Sequence, residues 1–183
     1  MTSKPRLLAV SGSLRRASVN AAVLRAAKSL AADLADITLF DGIGALPLFN
    51  PDDDVEPAHP AVQQWRAALL RADGLIIACP EYAHGVPGAF KNALDWVVAS
   101  GEFVNKPVAQ LNAAPRASLA QASLAETLLV MTAERVDAAS LTLPVTVKNI
   151  SEAQILADAE LCQVLRRAVA ALCDHIAAGL PAS

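Results

Sequence analysis

The chain has 183 residues, 54% of them hydrophobic and 18% charged, so it is long enough to bury a full core and too apolar to remain disordered. A formal net charge of −3, with no block of lysine or arginine, gives no electrostatic footprint for nucleic acid or an anionic membrane and directs attention to small-molecule partners. The three cysteines, Cys79, Cys162 and Cys173, are too few and too unevenly spaced for a disulfide framework or a zinc site. No apolar run approaches the about 18 residues of a membrane span, and together these features predict one cytoplasmic domain over 1–183 with reduced thiols.

Apolar, β-branched runs alternate with helical patterns along the whole chain, which predicts an α/β architecture. Strands are expected at Leu7–Val10, Ile37–Phe40, Leu75–Cys79, Val108–Asn112 and Leu141–Val147. The first, third and fourth are apolar nearly throughout, as parallel strands covered on both faces are. Between them, Val23, Leu24, Ala27, Leu30, Ala31 and Leu34 form one helical stripe, and Leu161, Val164, Leu165, Ala168, Leu172 and Ile176 form another near the C-terminus. Five strands with helical crossovers most simply give a flavodoxin-like three-layer sandwich, a parallel sheet in the order 2-1-3-4-5. The longest irregular segment runs from Asp41 to His59, with Asp52 to Asp54 expected as a solvated tip.

The stretch SGSLRRASVN, residues 11–20, lies between the first strand and the first helix. In a doubly wound sheet this is where ligands bind, beyond the carboxyl ends of the strands and beside the reversal of strand order. A helix starting near Val19 presents unpaired N–H groups and the positive end of its dipole, which together make an anion seat. Ser13, Ser18 and Asn20 add neutral donors, and Arg15 adds a charged fork suited to phosphate oxygens. The turn lacks both the Gly-Lys-Ser/Thr ending of a polyphosphate loop and the GxGxxG of a pyrophosphate loop, so one terminal phosphate fits it best. The competing structural reading is a polar turn in which Ser18 is only an N-cap.

The third strand leads into CPEYAHGVPGAFKNALDW, residues 79–96, at the same edge of the sheet. With the first turn, this resembles the NADPH-dependent FMN reductase family, which includes quinone, chromate and azo-dye reductases. The first family motif, close to GSLRxxSxN, is matched by Gly12, Ser13, Leu14, Arg15, Ser18 and Asn20. The second, close to PEYNxSxPGxLKNAIDW, is matched by Pro80, Glu81, Tyr82, Pro87, Gly88, Lys91, Asn92, Ala93, Asp95 and Trp96. Ala83 stands where the family has Asn, and Gly85 where it has Ser, so any side-chain contact from those two positions is lost.

The resemblance implies that the first turn holds the FMN phosphate and that the second loop, including Ala83 and Gly85, lies along the isoalloxazine through backbone groups. A third loop after the fourth strand, NAAPRAS, is implied to lie against the ring, with Ala114 as a backbone contact; Arg116 is read as a partner of the reduced flavin or the NADPH phosphate, or as a solvent-exposed side chain. The cofactor carries the chemistry, since hydride transfer depends chiefly on distance and orientation, and no side chain is assigned a catalytic step. Glu81 has no second carboxylate or nucleophile tied to it by the motif and reads as loop structure, while His84 is a candidate to face the substrate. Cys79 reads as a small core residue.

Around the helix after the second loop, Phe90, Ala93, Leu94, Trp96, Val97 and Val98 span a broader apolar arc than one sheet covers. This predicts a homodimer through that helix, consistent with the family, and leaves room for a tetramer. The function expected is an FMN-dependent oxidoreductase that takes hydride from NADPH or NADH in a ping-pong cycle. The electrons pass to a quinone, azo compound, metal oxyanion or free flavin. The alternative is an FMN-bearing electron carrier or redox sensor reduced by a protein partner; a nucleotide hydrolase has little support without a P-loop lysine.

Overall fold

A computed structural model describes residues 3–145, 147 and 149–179. The first apolar run forms β1 (Arg6–Ser11) and is followed by α1 (Val19–Leu30), β2 (Asp36–Phe40), α2 (Pro60–Arg71) and β3 (Gly74–Ala78). After these come α3 (Gly88–Asp95), β4 (Pro107–Leu111), α4 (Leu119–Val130), β5 (Glu134–Arg135), α5 (Glu152–Leu156) and α6 (Ala159–Gly179). All strand pairs are parallel, in the order β2-β1-β3-β4-β5 expected from the sequence.

Alternation along each strand divides the core in two. Leu7 and Ala9 of β1 and Ile76 of β3 face α1 and α6, where Val23, Leu24, Leu161, Leu165 and Leu172 cover them. Leu8, Val10, Leu75 and Ile77 face the other way, against Val62 and Trp65 of α2, Phe90 and Leu94 of α3, and Leu124 and Leu128 of α4. Both faces are dry, which is why the central strands carry polar side chains only at the two ends of β1, Arg6 and Ser11, and at Gln110 of β4.

The fifth strand departs from expectation. Leu141–Val147 is not a regular strand, and Thr146 within it lies outside the described residues; the ladder position beside β4 is shared by two short pieces. Val136 donates to Val108 O at 2.9 Å, and Asn112 donates to Leu141 O at 2.9 Å. Between these contacts the chain leaves the ladder through a 3-10 turn at Asp137–Ala139, and the Ser140 hydroxyl accepts the Gln110 amide at 3.0 Å. A side-chain oxygen thus takes the place of a ladder carbonyl for the Gln110 amide where the edge is broken.

The arc on α3 is also resolved differently. The helix ends at Asp95, and Phe90, Ala93, Leu94, Trp96 and Val97 are all buried within this chain; of the arc only Val98 is exposed. The long segment after β2 supplies the cover. The Asn92 carboxamide accepts the Phe49 amide and donates to Pro47 O, both at 2.8 Å, and Trp96 Nε1 donates to the same carbonyl at 2.8 Å. The homodimer expected through this helix therefore loses its basis there. The acidic tip is corrected as well, for Asp52 and Asp53 are exposed but Asp54 pairs with the part-buried Arg66 at 2.9 Å. Among the described residues no helix is long and apolar enough to cross a membrane.

Candidate functional site

The first turn leaves β1 under tight steric control. The Gly12 amide donates to Ala78 O at 2.9 Å, and a Cβ at Gly12 would stand 2.8 Å from Cys79 Sγ and 3.2 Å from its Cα. Only glycine permits this approach of the turn to the end of β3. Cys79, with its thiol pushed up to about 12 by burial, is packing and not a nucleophile.

Ser18 is the N-cap of α1, its hydroxyl accepting the Ala21 amide at 3.3 Å, and the helix begins at Val19 as expected. This leaves the amides of Val19 and Asn20 without intrahelical acceptors at the positive end of the dipole. Asn20 is buried at 7% exposure, and its Oδ1 has no hydrogen-bond partner. Leu14 and Arg15 stand exposed on the turn, with Arg15 reaching Asn149 Oδ1 at 3.5 Å, while the Ser13 hydroxyl supports the Arg15 amide at 3.3 Å.

The second loop, opened by Pro80, is a tight hairpin. Tyr82 and Gly85 exchange both backbone bonds, at 3.0 and 2.9 Å, and the two residues between them, Ala83 and His84, have φ of 49° and 63°. That pair of left-handed residues is a type I′ turn, which ordinarily selects Asn-Gly. Gly85 itself needs no such freedom, since an added Cβ would meet only Tyr82 O at 3.7 Å. The Ser13 hydroxyl lies 3.1 Å from the Tyr82 hydroxyl and joins this hairpin to the first turn.

Glu81 connects the hairpin to the third loop. Its Oε2 accepts the Ala120 amide at 2.9 Å in the first turn of α4, where Ser118 supplies no side-chain cap, and its Oε1 lies 3.2 Å from His84 Nδ1. The Ala120 bond, followed by His84, holds the Glu81 carboxyl below the usual range. Glu81 is thus a cap supplied from another element, as its reading as loop structure anticipated. Gln121 adds a second link by donating to Cys79 O at 2.7 Å, while Gln110 Nε2 bonds both its carbonyl and side-chain oxygens at 2.8 Å. Neither glutamine was a sequence candidate, because nothing in their local pattern distinguishes them from packing positions.

In the third loop the Asn112 carboxamide accepts the Ala114 amide at 2.9 Å and donates to Ala117 O at 3.1 Å. The Ala114 donor expected to meet a ring is therefore already engaged, so Asn112 is the residue that shapes this loop. Arg116 is exposed and makes no hydrogen bond or ion pair among the described residues. Lys91 and Asp95 pair with each other on α3, and Asn92 and Trp96 hold the loop above it, so this half of the second motif builds the scaffold.

These parts fit a flavin mononucleotide. The paired amides of Val19 and Asn20, the Ser13 hydroxyl and Arg15 suit a terminal phosphate. The unpartnered Asn20 Oδ1 is a buried acceptor whose desolvation cost falls when a ligand hydroxyl, such as those of a ribityl chain beside the phosphate, donates to it. The hairpin and third loop border the same sheet edge with backbone groups and few acid–base side chains, as a planar redox ring requires.

A doubly wound parallel sheet with a single-phosphate turn at its strand-order reversal defines a flavodoxin-type, mononucleotide-binding α/β protein. The chain belongs to the NADPH-dependent FMN reductase family, whose model matches residues 5–172. It is 39% identical over 115 residues to the NAD(P)H-dependent FMN reductase of Pseudomonas aeruginosa, covering 62% of each chain. It is 36% identical over 111 residues to the quinone reductase of Escherichia coli, covering 59% of each. The match thus spans less than two thirds of these curated relatives. Among solved structures, FerB from Paracoccus denitrificans, a flavoenzyme NAD(P)H:(acceptor) oxidoreductase, superposes with TM-score 0.76 at 26% identity over 95% of this chain and 98% of that one. A WrbA-like flavodoxin from Agrobacterium tumefaciens shares the fold at TM-score 0.66 and 16% identity, over 97% and 100%.

Proposed function

We propose that the chain is an FMN-dependent NAD(P)H oxidoreductase that passes reducing equivalents to a small acceptor of the quinone, azo, metal-oxyanion or free-flavin type. Donor and acceptor use one face in turn, a ping-pong cycle. The observation that carries the reading is the convergence of an anion-accepting turn, with the buried and unpartnered Asn20 carboxamide, and a hairpin joined to it by Ser13 and Tyr82.

When bound, FMN supplies the two-electron chemistry. The chain's own groups bind and orient: Arg15, Ser13 and the first amides of α1 neutralise and fix the phosphate, setting the register of the ring. The Tyr82–Gly85 hairpin borders the ring position, and Ala83 and Gly85 bring no polar side chain to it, so contacts from those two positions are made by backbone. Glu81 and Gln121 keep the second and third loops at fixed separation, which transfer over a short donor distance demands.

An anaerobic absorbance titration of FMN-loaded protein with NADPH and with NADH tests the proposal. Bleaching of the oxidised flavin band at about one equivalent per flavin, reversed by a quinone, is the expected result. Tight FMN binding with no bleaching by either nucleotide would overturn the reductase reading in favour of an electron carrier.

A further inference from the structure

A cleft of about 520 Å³ opens on the β2 side of the first turn, lined by β1, α1 and the end of β2. The sheet order places β1 between β2 and β3, so this cleft and the hairpin after β3 lie on opposite sides of β1. No residue of the second or third loop lines it, which separates it from the ring position. Its volume lies within the about 300–1,000 Å³ range typical of ligand sites.

Leu24, Leu39 and Phe40 give the cleft apolar lining, and Arg15, Arg16 and Arg25 are the basic residues along it. Arg25 is committed to Glu152 at 3.0 Å, and Arg15 belongs to the phosphate turn. Arg16 occupies a variable position of the first motif, is exposed, and makes no hydrogen bond or ion pair among the described residues. Asp41, also on the wall, is an acceptor for ligand hydroxyl or amino groups. Apolar lining beside an uncommitted planar cation, with an acceptor at the wall, matches a purine nucleoside carrying a phosphate dianion.

Resting on the reductase reading, we propose that this cleft holds the adenosine 2′-phosphate end of NADPH, with Arg16 as the group that recognises the 2′-phosphate. The dinucleotide then straddles the first turn, its nicotinamide on the β3 side and its adenosine on the β2 side. Arg16 thereby sets a preference for NADPH over NADH, a choice the family motifs leave open.

Isothermal titration of the FMN-loaded protein with adenosine 2′,5′-bisphosphate and with 5′-AMP tests the cleft without any turnover. The bisphosphate is expected to bind about 10-fold or more tightly than 5′-AMP, the scale of a charge-assisted bond, and Arg16→Ala to abolish the difference. In the same variant the ratio of kcat/KM for NADPH to that for NADH falls by a comparable factor. Leu39→Trp, which fills the cleft, weakens both nucleotides. Equal binding of the two ligands, or an unchanged selectivity ratio in Arg16→Ala, would overturn the proposal. Failure of both nicotinamides to bleach the flavin would instead remove the reductase reading, and selective bisphosphate binding lost in Arg16→Ala would then leave the cleft as an adenosine-phosphate site.

Discussion

The hydroxyls of Ser13 and Tyr82 meet at 3.1 Å and tie the turn after β1 to the hairpin after β3 across the point where strand order reverses. Both side chains are part-exposed, Tyr82 at 45%, so the contact contributes little to folding and acts on the relative placement of two loops. Tyr82→Phe is expected to raise the FMN dissociation constant about 3- to 10-fold, the worth of one net hydrogen bond, with the melting temperature of cofactor-free protein unchanged. Ser13→Ala combined with Tyr82→Phe is expected to cost no more than the larger single change. Additive losses in a fluorescence titration would show that the two hydroxyls act separately.

Ala83 occupies a left-handed position, φ 49°, in a turn that favours asparagine. An alanine there costs about 1 kcal/mol in Cβ crowding, part of which asparagine recovers. Ala83→Asn is expected to raise unfolding free energy by about 0.5 kcal/mol in urea, and Ala83→Val to lower it by more, since a β-branched side chain is least tolerated at positive φ. No gain from asparagine would mean that the turn is relaxed through its neighbour His84.

The Glu81 carboxyl is held below its ordinary range by the Ala120 amide. A carboxyl whose folded pKa is depressed contributes stability that is fully present above the unfolded value of about 4.3 and lost as pH falls through the folded value. Thermal melts between neutral and strongly acid pH are therefore expected to lose stability more steeply in the wild type than in Glu81→Gln. Asp73, lowered by its hydrogen bond to Arg6, contributes to the same acid limb and persists in the variant. Parallel pH profiles for the two proteins would remove Glu81 from the cap.

The apolar strands and the start of α1 at Val19 were legible, because each is written in consecutive residues with a single period or a cap beside it. The third loop's support was not. Glu81 reaches Ala120 across 39 residues and Gln121 reaches Cys79 across 42, and no local pattern records a side chain bonding a distant backbone group. The fifth strand failed for a related reason: Ser140 substitutes a hydroxyl for a ladder acceptor of the Gln110 amide, a replacement that a continuous β-branched run in the sequence does not reveal. The α3 arc misled because its apolar excess is buried by the segment after β2, whose irregular sequence gives no sign of where it packs.

Arg66 of α2 stands only 15% exposed among Asp54, Glu102 and the Trp96 carbonyl, and it anchors the same segment from below. Its Nη2 bonds Asp54 and Trp96 O at 2.9 Å, whereas its Nε lies 3.8 Å from Glu102 Oε1, beyond hydrogen-bond range, and finds no other partner. Glu102 is 7% exposed and keeps the Ser100 hydroxyl as a donor to its Oε2, so losing the guanidinium leaves a buried carboxylate without its facing cation. Arg66→Met is expected to cost about 3 kcal/mol, read as a lower urea midpoint at constant slope. Arg66→Met with Glu102→Leu is expected to recover most of that loss, because removing both charges also removes their desolvation cost. If the double variant were no more stable than Arg66→Met alone, the Asp54 and Trp96 contacts, and not the charge of Glu102, would account for the role of Arg66.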